Sequence, residues 1–130
     1  PGVLLRNKYL EFICKNVFVK INSKNNLYFK NLDQEVFEFH IAHNEGNYFC
    51  TNDQLKEIED NNQIAIYYCN NDGQTKSEFN PNGSINNIAG IFNKEKNVLG
   101  MMPHPERMID KSLSGEDGAL FFKNLINNLR

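Results

Sequence analysis

Nowhere is the sequence apolar for long enough to cross a membrane, and no signal-peptide pattern is visible. Lys and Arg never gather into a long run, and the net charge is −2, which argues against a non-specific nucleic-acid binder. No Cys-x-x-Cys pair occurs. Cys14, Cys50 and Cys69 are odd in number and widely spaced, so a reduced, cytoplasmic thiol set is expected rather than a disulfide framework. Neither Gly-x-x-x-x-Gly-Lys-Ser/Thr nor Gly-x-Gly-x-x-Gly is present, and Asn80-Pro81-Asn82-Gly83-Ser84 is no phosphate loop, so a nucleotide site made by this chain alone is unsupported. No Cys/His spacing resembles a zinc module. His40 and His43 lie three apart on a predicted strand and point to opposite faces, so no metal site is expected. Internal repeats and linkers are missing too. The chain begins Pro1-Gly2-Val3 without an initiator Met, and is expected to be a fragment or a trimmed form.

What is present suits one globular domain with a modest core: 130 residues, 40% hydrophobic and 23% charged. Pro1 to Asn7 reads as a loop or the tail of an earlier element. Residues 12–21 alternate as a strand, and residues 35–43 do so again, with Phe37, Phe39 and Ile41 on one face and Glu38 and His40 on the other. Thr51-Asn52-Asp53-Gln54 is a capping box, predicting a short helix that ends near Asn61-Asn62. Residues 63–69 read as a strand, closed by Asn71-Asp72-Gly73; Asn80 to Gly83 is a second turn. Residues 88–92 and 98–102 form a predicted hairpin. Gly115 to Gly118 leads into a last helix, where Leu120, Phe121, Phe122, Leu125, Ile126 and Leu129 make a broad apolar stripe.

One stretch organises the rest: Val98 to Met102 runs into Pro103-His104-Pro105-Glu106-Arg107. Each proline biases the residue before it, here Met102 and His104, towards extended geometry. In an extended segment, residues i and i+2 face the same side, roughly 6.5–7 Å apart at Cα. His104 and Glu106 are therefore expected to pair, with Glu106 holding one imidazole nitrogen and the other free for a reacting group. That is the base and orienter part of a nucleophile–base–acid triad. A solvated His-x-Glu loop pair closing a strand is the competing reading.

His43-Asn44-Glu45 is a second His-x-Glu, at a strand end before Gly46, and reads first as a structural turn. A nucleophilic thiol of this chemistry needs a tight, glycine-flanked elbow. Cys14 sits mid-strand, Cys69 ends a strand and Cys50 precedes the helix cap; Cys50 is the least poor candidate, and all three are expected to be structural.

Several segments together resemble one family. Leu5-Arg6-Asn7-Lys8 with Phe12-Ile13-Cys14-Lys15, Ile41-Ala42-His43-x-Glu45-Gly46-Asn47-Tyr48, Asn80 to Ser84 with Ile88-Ala89-Gly90-Ile91, and Gly100-Met101-Met102-Pro103-His104-Pro105-Glu106-Arg107 occur in that order. They are similar to the C-terminal part of the glutaminase subunit of phosphoribosylformylglycinamidine synthase, a class I glutamine amidotransferase. Met-Pro-His-Pro-Glu alone would point only to class I amidotransferases in general. The resemblance implies an α/β fold: residues 1–130 as a single partial domain, the C-terminal half of a flavodoxin-like amidotransferase domain, with a mixed sheet and flanking helices.

The same resemblance implies a Cys–His–Glu triad whose His and Glu fall on His104 and Glu106. Its Cys lies in a Gly-x-Cys-x-Gly elbow that this sequence lacks. His43 and Glu45 fall on a cleft-lining Ala-His-Gly-Glu-Gly segment. Asn44 stands where Gly is usual there, His40 where Pro is usual, and Phe92 where Cys is common. The implied function is glutamine hydrolysis that passes ammonia to a large synthetase subunit or fused domain for formylglycinamidine ribonucleotide formation in purine biosynthesis. ATP and magnesium are expected on that partner and no cofactor on this chain, which alone is expected to be inactive. The alternatives are another class I amidotransferase half-domain, or a non-catalytic remnant that binds the synthetase. Neither nucleic acid nor membrane is an expected partner.

Overall fold

Apolar and polar residues alternate most cleanly where the two longest strands form. The computed structural model, which describes residues 1–112 and 114–130, runs β1 (Val3–Leu5), β2 (Ile13–Ile21), β3 (Val36–His43), β4 (Asn47–Phe49), α1 (Asn52–Asp60), β5 (Ile64–Cys69), β6 (Ile88–Phe92), β7 (Leu99–Met101) and α2 (Asp117–Leu129). β2 and β3 pair antiparallel from Ile13 opposite His43 to Lys20 opposite Val36. Val17, Val19 and Ile21 turn inward with Phe37, Phe39 and Ile41, while Cys14, Asn16, Glu38 and His40 occupy the outer face.

Five strands make the main sheet in the order β3-β2-β5-β6-β7, and β1 pairs with β4 in a separate ribbon. The expected α/β layering of sheet and flanking helices is present; within the sheet, every described pairing is antiparallel. The predicted hairpin forms as β6 and β7. A register shift in β5 lets Ala65 and Ile66 join one core, with Phe39 and Phe92, while Ile64 and Tyr67 join another, with Ile58 and Ile88.

The capping box closes as the sequence predicts. Thr51 Oγ1 accepts from the Gln54 backbone N–H at 3.3 Å, and Gln54 Oε1 accepts from the Thr51 N–H at 3.1 Å. α2 buries Phe121 against Phe29 and Phe39, but Leu120, Ile126 and Leu129 of its apolar stripe stay exposed. Its polar residues fasten it instead: Asn124 Nδ2 donates to the Tyr28 carbonyl, and Asn128 Nδ2 to those of Leu27 and Lys30.

β1 replaces the loop expected at the start of the chain. Val3, Leu4 and Leu5 pair with Phe49, Tyr48 and Asn47, yet all three β1 side chains are exposed. A three-residue strand without a buried face leaves no alternation to read. Phe49, opposite Val3, and Phe12 are exposed as well. A cavity of about 400 Å³ opens between β1 and the β6–β7 hairpin, lined by Val3, Leu4, Tyr48, Ile88, Gly100 and Met101 among others. Among the described residues, no helix is long and apolar enough to cross a membrane.

Candidate active site

His104 is held by its backbone on both sides. Its N–H donates to the His40 carbonyl at 2.7 Å, a bridge that docks the segment onto the free edge of β3. Just upstream, the Met102 N–H donates to the Ala89 carbonyl at 3.0 Å. Pro103 and Pro105 are buried and anchor the segment. After His104 the chain is not extended: Pro105–Arg107 is a turn of 3-10 helix, with proline at its first position where no backbone donor is lost.

The start of α2 backs that turn. The Gly118 N–H donates to the Met108 carbonyl at 2.8 Å, and a methyl group on Gly118 would fall 1.7 Å from the Pro105 carbonyl oxygen. Asp117 Oδ2 accepts the Glu38 N–H at 2.7 Å, so the same helix end also covers the β3 edge. Sheet edge, turn and helix thus fix one another.

The turn brings Glu106 Oε1 to 2.7 Å from His104 Nδ1. A carboxylate accepts, so the proton sits on Nδ1 and Nε2 presents its lone pair. Nε2 has no hydrogen-bond partner among the described residues, and the His104 side chain is 35% exposed. Partial burial works to raise the Glu106 carboxyl. Its own backbone N–H, the hydrogen bond from His104 and the charges of His104 and Arg107 outweigh this and hold it below the usual carboxylate range. The arrangement can take a proton from a nucleophile at Nε2 and return it to a leaving group.

His43 and Glu45 make no such pair. Glu45 is exposed, whereas His43 is buried with its ring against Gly46, where a methyl group would fall 2.0 Å from Nε2. Asn82 Nδ2 donates to His43 Nε2 at 3.0 Å, and also to the Tyr68 hydroxyl at 3.0 Å. Ser84 Oγ donates to Asn82 Oδ1 at 2.7 Å. Asn7 Nδ2 donates to the carbonyls of Glu11 and His43, and its Oδ1 accepts the Gly46 N–H. Three separate turns are thereby tied into one buried polar knot. Asn44 closes its turn without a positive φ, so the side chain standing where glycine is usual costs no backbone strain.

The comparisons with known proteins bear on this arrangement. Residues 2–116 match the CobB/CobQ-like glutamine amidotransferase domain. The chain belongs to that amidotransferase family. It is 72% identical over 130 residues to phosphoribosylformylglycinamidine synthase subunit PurQ of Pelagibacter ubique, covering 100% of this chain and 57% of that protein. To the subunit of the same name from Synechocystis it is 49% identical over 123 residues, covering 94% and 55%. Among solved structures, "Structure of PurLQS from Thermotoga maritima" superposes with a TM-score of 0.78 at 30% identity, over 100% of this chain and 54% of that one. The chain spans about half the length of the curated relatives it matches.

Within this amidotransferase domain the thiols differ sharply. Cys50 and Cys69 are buried, and burial pushes the Cys69 thiol up to about 11. Cys14 is exposed, with Sγ 3.4 Å from His40 Nε2. Cys50, the least poor candidate by sequence because it precedes a helix cap, is buried, in keeping with the structural role expected of all three cysteines. The cross-strand register that sets Cys14 beside His40 was the missing information. Among the described residues, no three His, Cys, Asp or Glu side chains are grouped to hold a metal ion.

Burial, then the positive charge of His104, holds the His43 imidazole below its ordinary value of 6.5. A depressed value favours the fold above pH 6.5, and that contribution is lost as the pH falls through the folded-state value. Thermal melts of the chain are therefore expected to shift down as the pH falls from about 7 to below 6, and His43→Asn should flatten that shift. An unchanged slope in the variant would remove His43 as its cause.

Proposed function

We propose that this chain supplies the acid/base half of a glutamine amidotransferase, with His104 as proton carrier and Glu106 as its orienter. The 2.7 Å contact between His104 Nδ1 and Glu106 Oε1, leaving Nε2 open, is the observation that carries this. A cysteine thiolate attacks the side-chain amide carbon of glutamine after giving its proton to His104 Nε2. The C–N bond then breaks, and ammonia leaves with that proton. Water, deprotonated by the same imidazole, hydrolyses the glutamyl thioester to glutamate and free thiol. Glu106 stabilises the imidazolium at both stages.

The nucleophile is assigned to sequence outside these 130 residues, because Cys50 and Cys69 are buried and Cys14 lies near the start of β2 against His40, without a glycine-flanked elbow. The names of the relatives support a synthetase partner that makes formylglycinamidine ribonucleotide; ATP and magnesium on that partner are part of the proposal. The reading is tested by expressing the whole gene that carries this chain in a purine-requiring strain lacking its own glutaminase subunit. Growth without purine is expected, and should fail with His104→Ala. Rescue instead of a strain needing guanine or carbamoyl phosphate would place the domain in another amidotransferase.

A further inference from the structure

The proposed hydrolysis leaves unused a set of side chains on the outer face of β2 and β3. Asn16 and His40 are directly opposite each other in the antiparallel register, and Cys14 is two residues from Asn16 on the same face. Their chemistry can be ordered from one end. The Glu38 carboxylate can only accept, so the Asn16 group 3.2 Å from its Oε1 is the amide Nδ2, a donor. Asn16 Oδ1 then faces His40 Nδ1 at 2.8 Å and can only accept from it. The His40 proton therefore sits on Nδ1, and Nε2 turns its lone pair to the Cys14 sulfur 3.4 Å away. A nucleophile within reach of a base, and the base held by a third group, is the general signature of an activated nucleophile.

The base is fixed at its backbone as well. The His40 carbonyl takes the His104 N–H, and His40 pairs with Asn16 of β2 through the strand register. Cys14 is exposed, unlike Cys50 and Cys69, so a small reagent can reach it. Cys14 lies within β2 and not at a helix N-terminus or a glycine-flanked elbow, which argues against acyl transfer and in favour of direct attack on a reagent that carries its own leaving group.

We propose that Cys14 is a modification site for hydroperoxides, with His40 as its base and Asn16 as the positioning residue. The Cys14 thiol gives its proton to His40 Nε2, and its sulfur attacks a peroxide oxygen. The S–O bond forms as the O–O bond breaks. Sulfur is oxidised to the sulfenic acid and the peroxide is reduced, its departing hydroxide taking the proton from His40 to become water. Because His40 and His104 are bridge partners, the oxidised sulfur stands on β2, one strand removed from the His104 segment.

The test uses the reduced 130-residue chain, limiting hydrogen peroxide and dimedone as the sulfenic-acid trap, with the adduct rate at Cys14 read by mass spectrometry. Exposure alone can at most equal the rate in the urea-unfolded chain at the same pH. Folded Cys14 is expected to react at least ~10-fold faster than unfolded Cys14, well inside what a positioned base contributes. His40→Phe should bring the folded rate down to the unfolded one, and Asn16→Ala should lower it partway, in variants whose circular dichroism shows them folded. A folded rate no higher than the unfolded rate overturns the proposal, and so does a folded His40→Phe or Asn16→Ala variant that reacts as fast as the parent.

Discussion

Replacing His104 by alanine in the polypeptide that unites this chain with its nucleophile is expected to cut ammonia release from glutamine by roughly 10²–10⁴-fold, the range a positioned acid/base supplies. The loss should appear in kcat rather than KM, because Nε2 acts on protons in flight and not on bound glutamine. Glu106→Gln keeps a hydrogen-bonding group but removes the charge that stabilises imidazolium, so its loss should be smaller than that of His104→Ala. His43→Asn serves as the contrast. Its ring is buried and its Nε2 already accepts from Asn82, so the variant should lose stability, on the order of 1–3 kcal/mol for stranded polar groups, and keep a kcat of the same order. A dead His43 variant beside an active His104 variant would reverse the assignment of the two His-x-Glu motifs.

The contact between His104 and Glu106 was legible in the sequence for a partly mistaken reason. The prolines do set His104 apart, and His104 does meet Glu106. The contact, however, is made by a 3-10 turn at Pro105–Arg107 and not by the i and i+2 geometry of an extended strand. Proline at the first position of a helical turn is as well suited to its fixed φ as proline in an extended segment, and the residue type does not distinguish them. The strands β2 and β3 were readable because one face of each is buried, and the α1 cap because its partners lie three residues apart.

What the sequence concealed depends on contacts between distant residues. Asn7, Asn82 and Ser84 look like ordinary turn residues, yet they form the polar knot around His43 across spans of up to 39 residues. The Cys14–His40 approach needs the register of two strands 26 positions apart in the chain. The α2 stripe shows the opposite error: periodicity marks which residues could be buried, and only a packed partner decides which ones are. Leu120, Ile126 and Leu129 satisfy the pattern and remain exposed.

Ammonia release from glutamine by two polypeptides tests directly whether these 130 residues hold the acid/base pair but not the nucleophile. One is the 130-residue chain; the other is the same chain extended through the Gly-x-Cys-x-Gly elbow that the family resemblance implies. With the elbow outside it, the short chain offers no thiolate for His104 to activate, so its rate should match the buffer background. The longer one should turn over, and lose that turnover on His104→Ala. Turnover by the 130-residue chain alone, abolished by replacing Cys14, Cys50 or Cys69, would contradict the account.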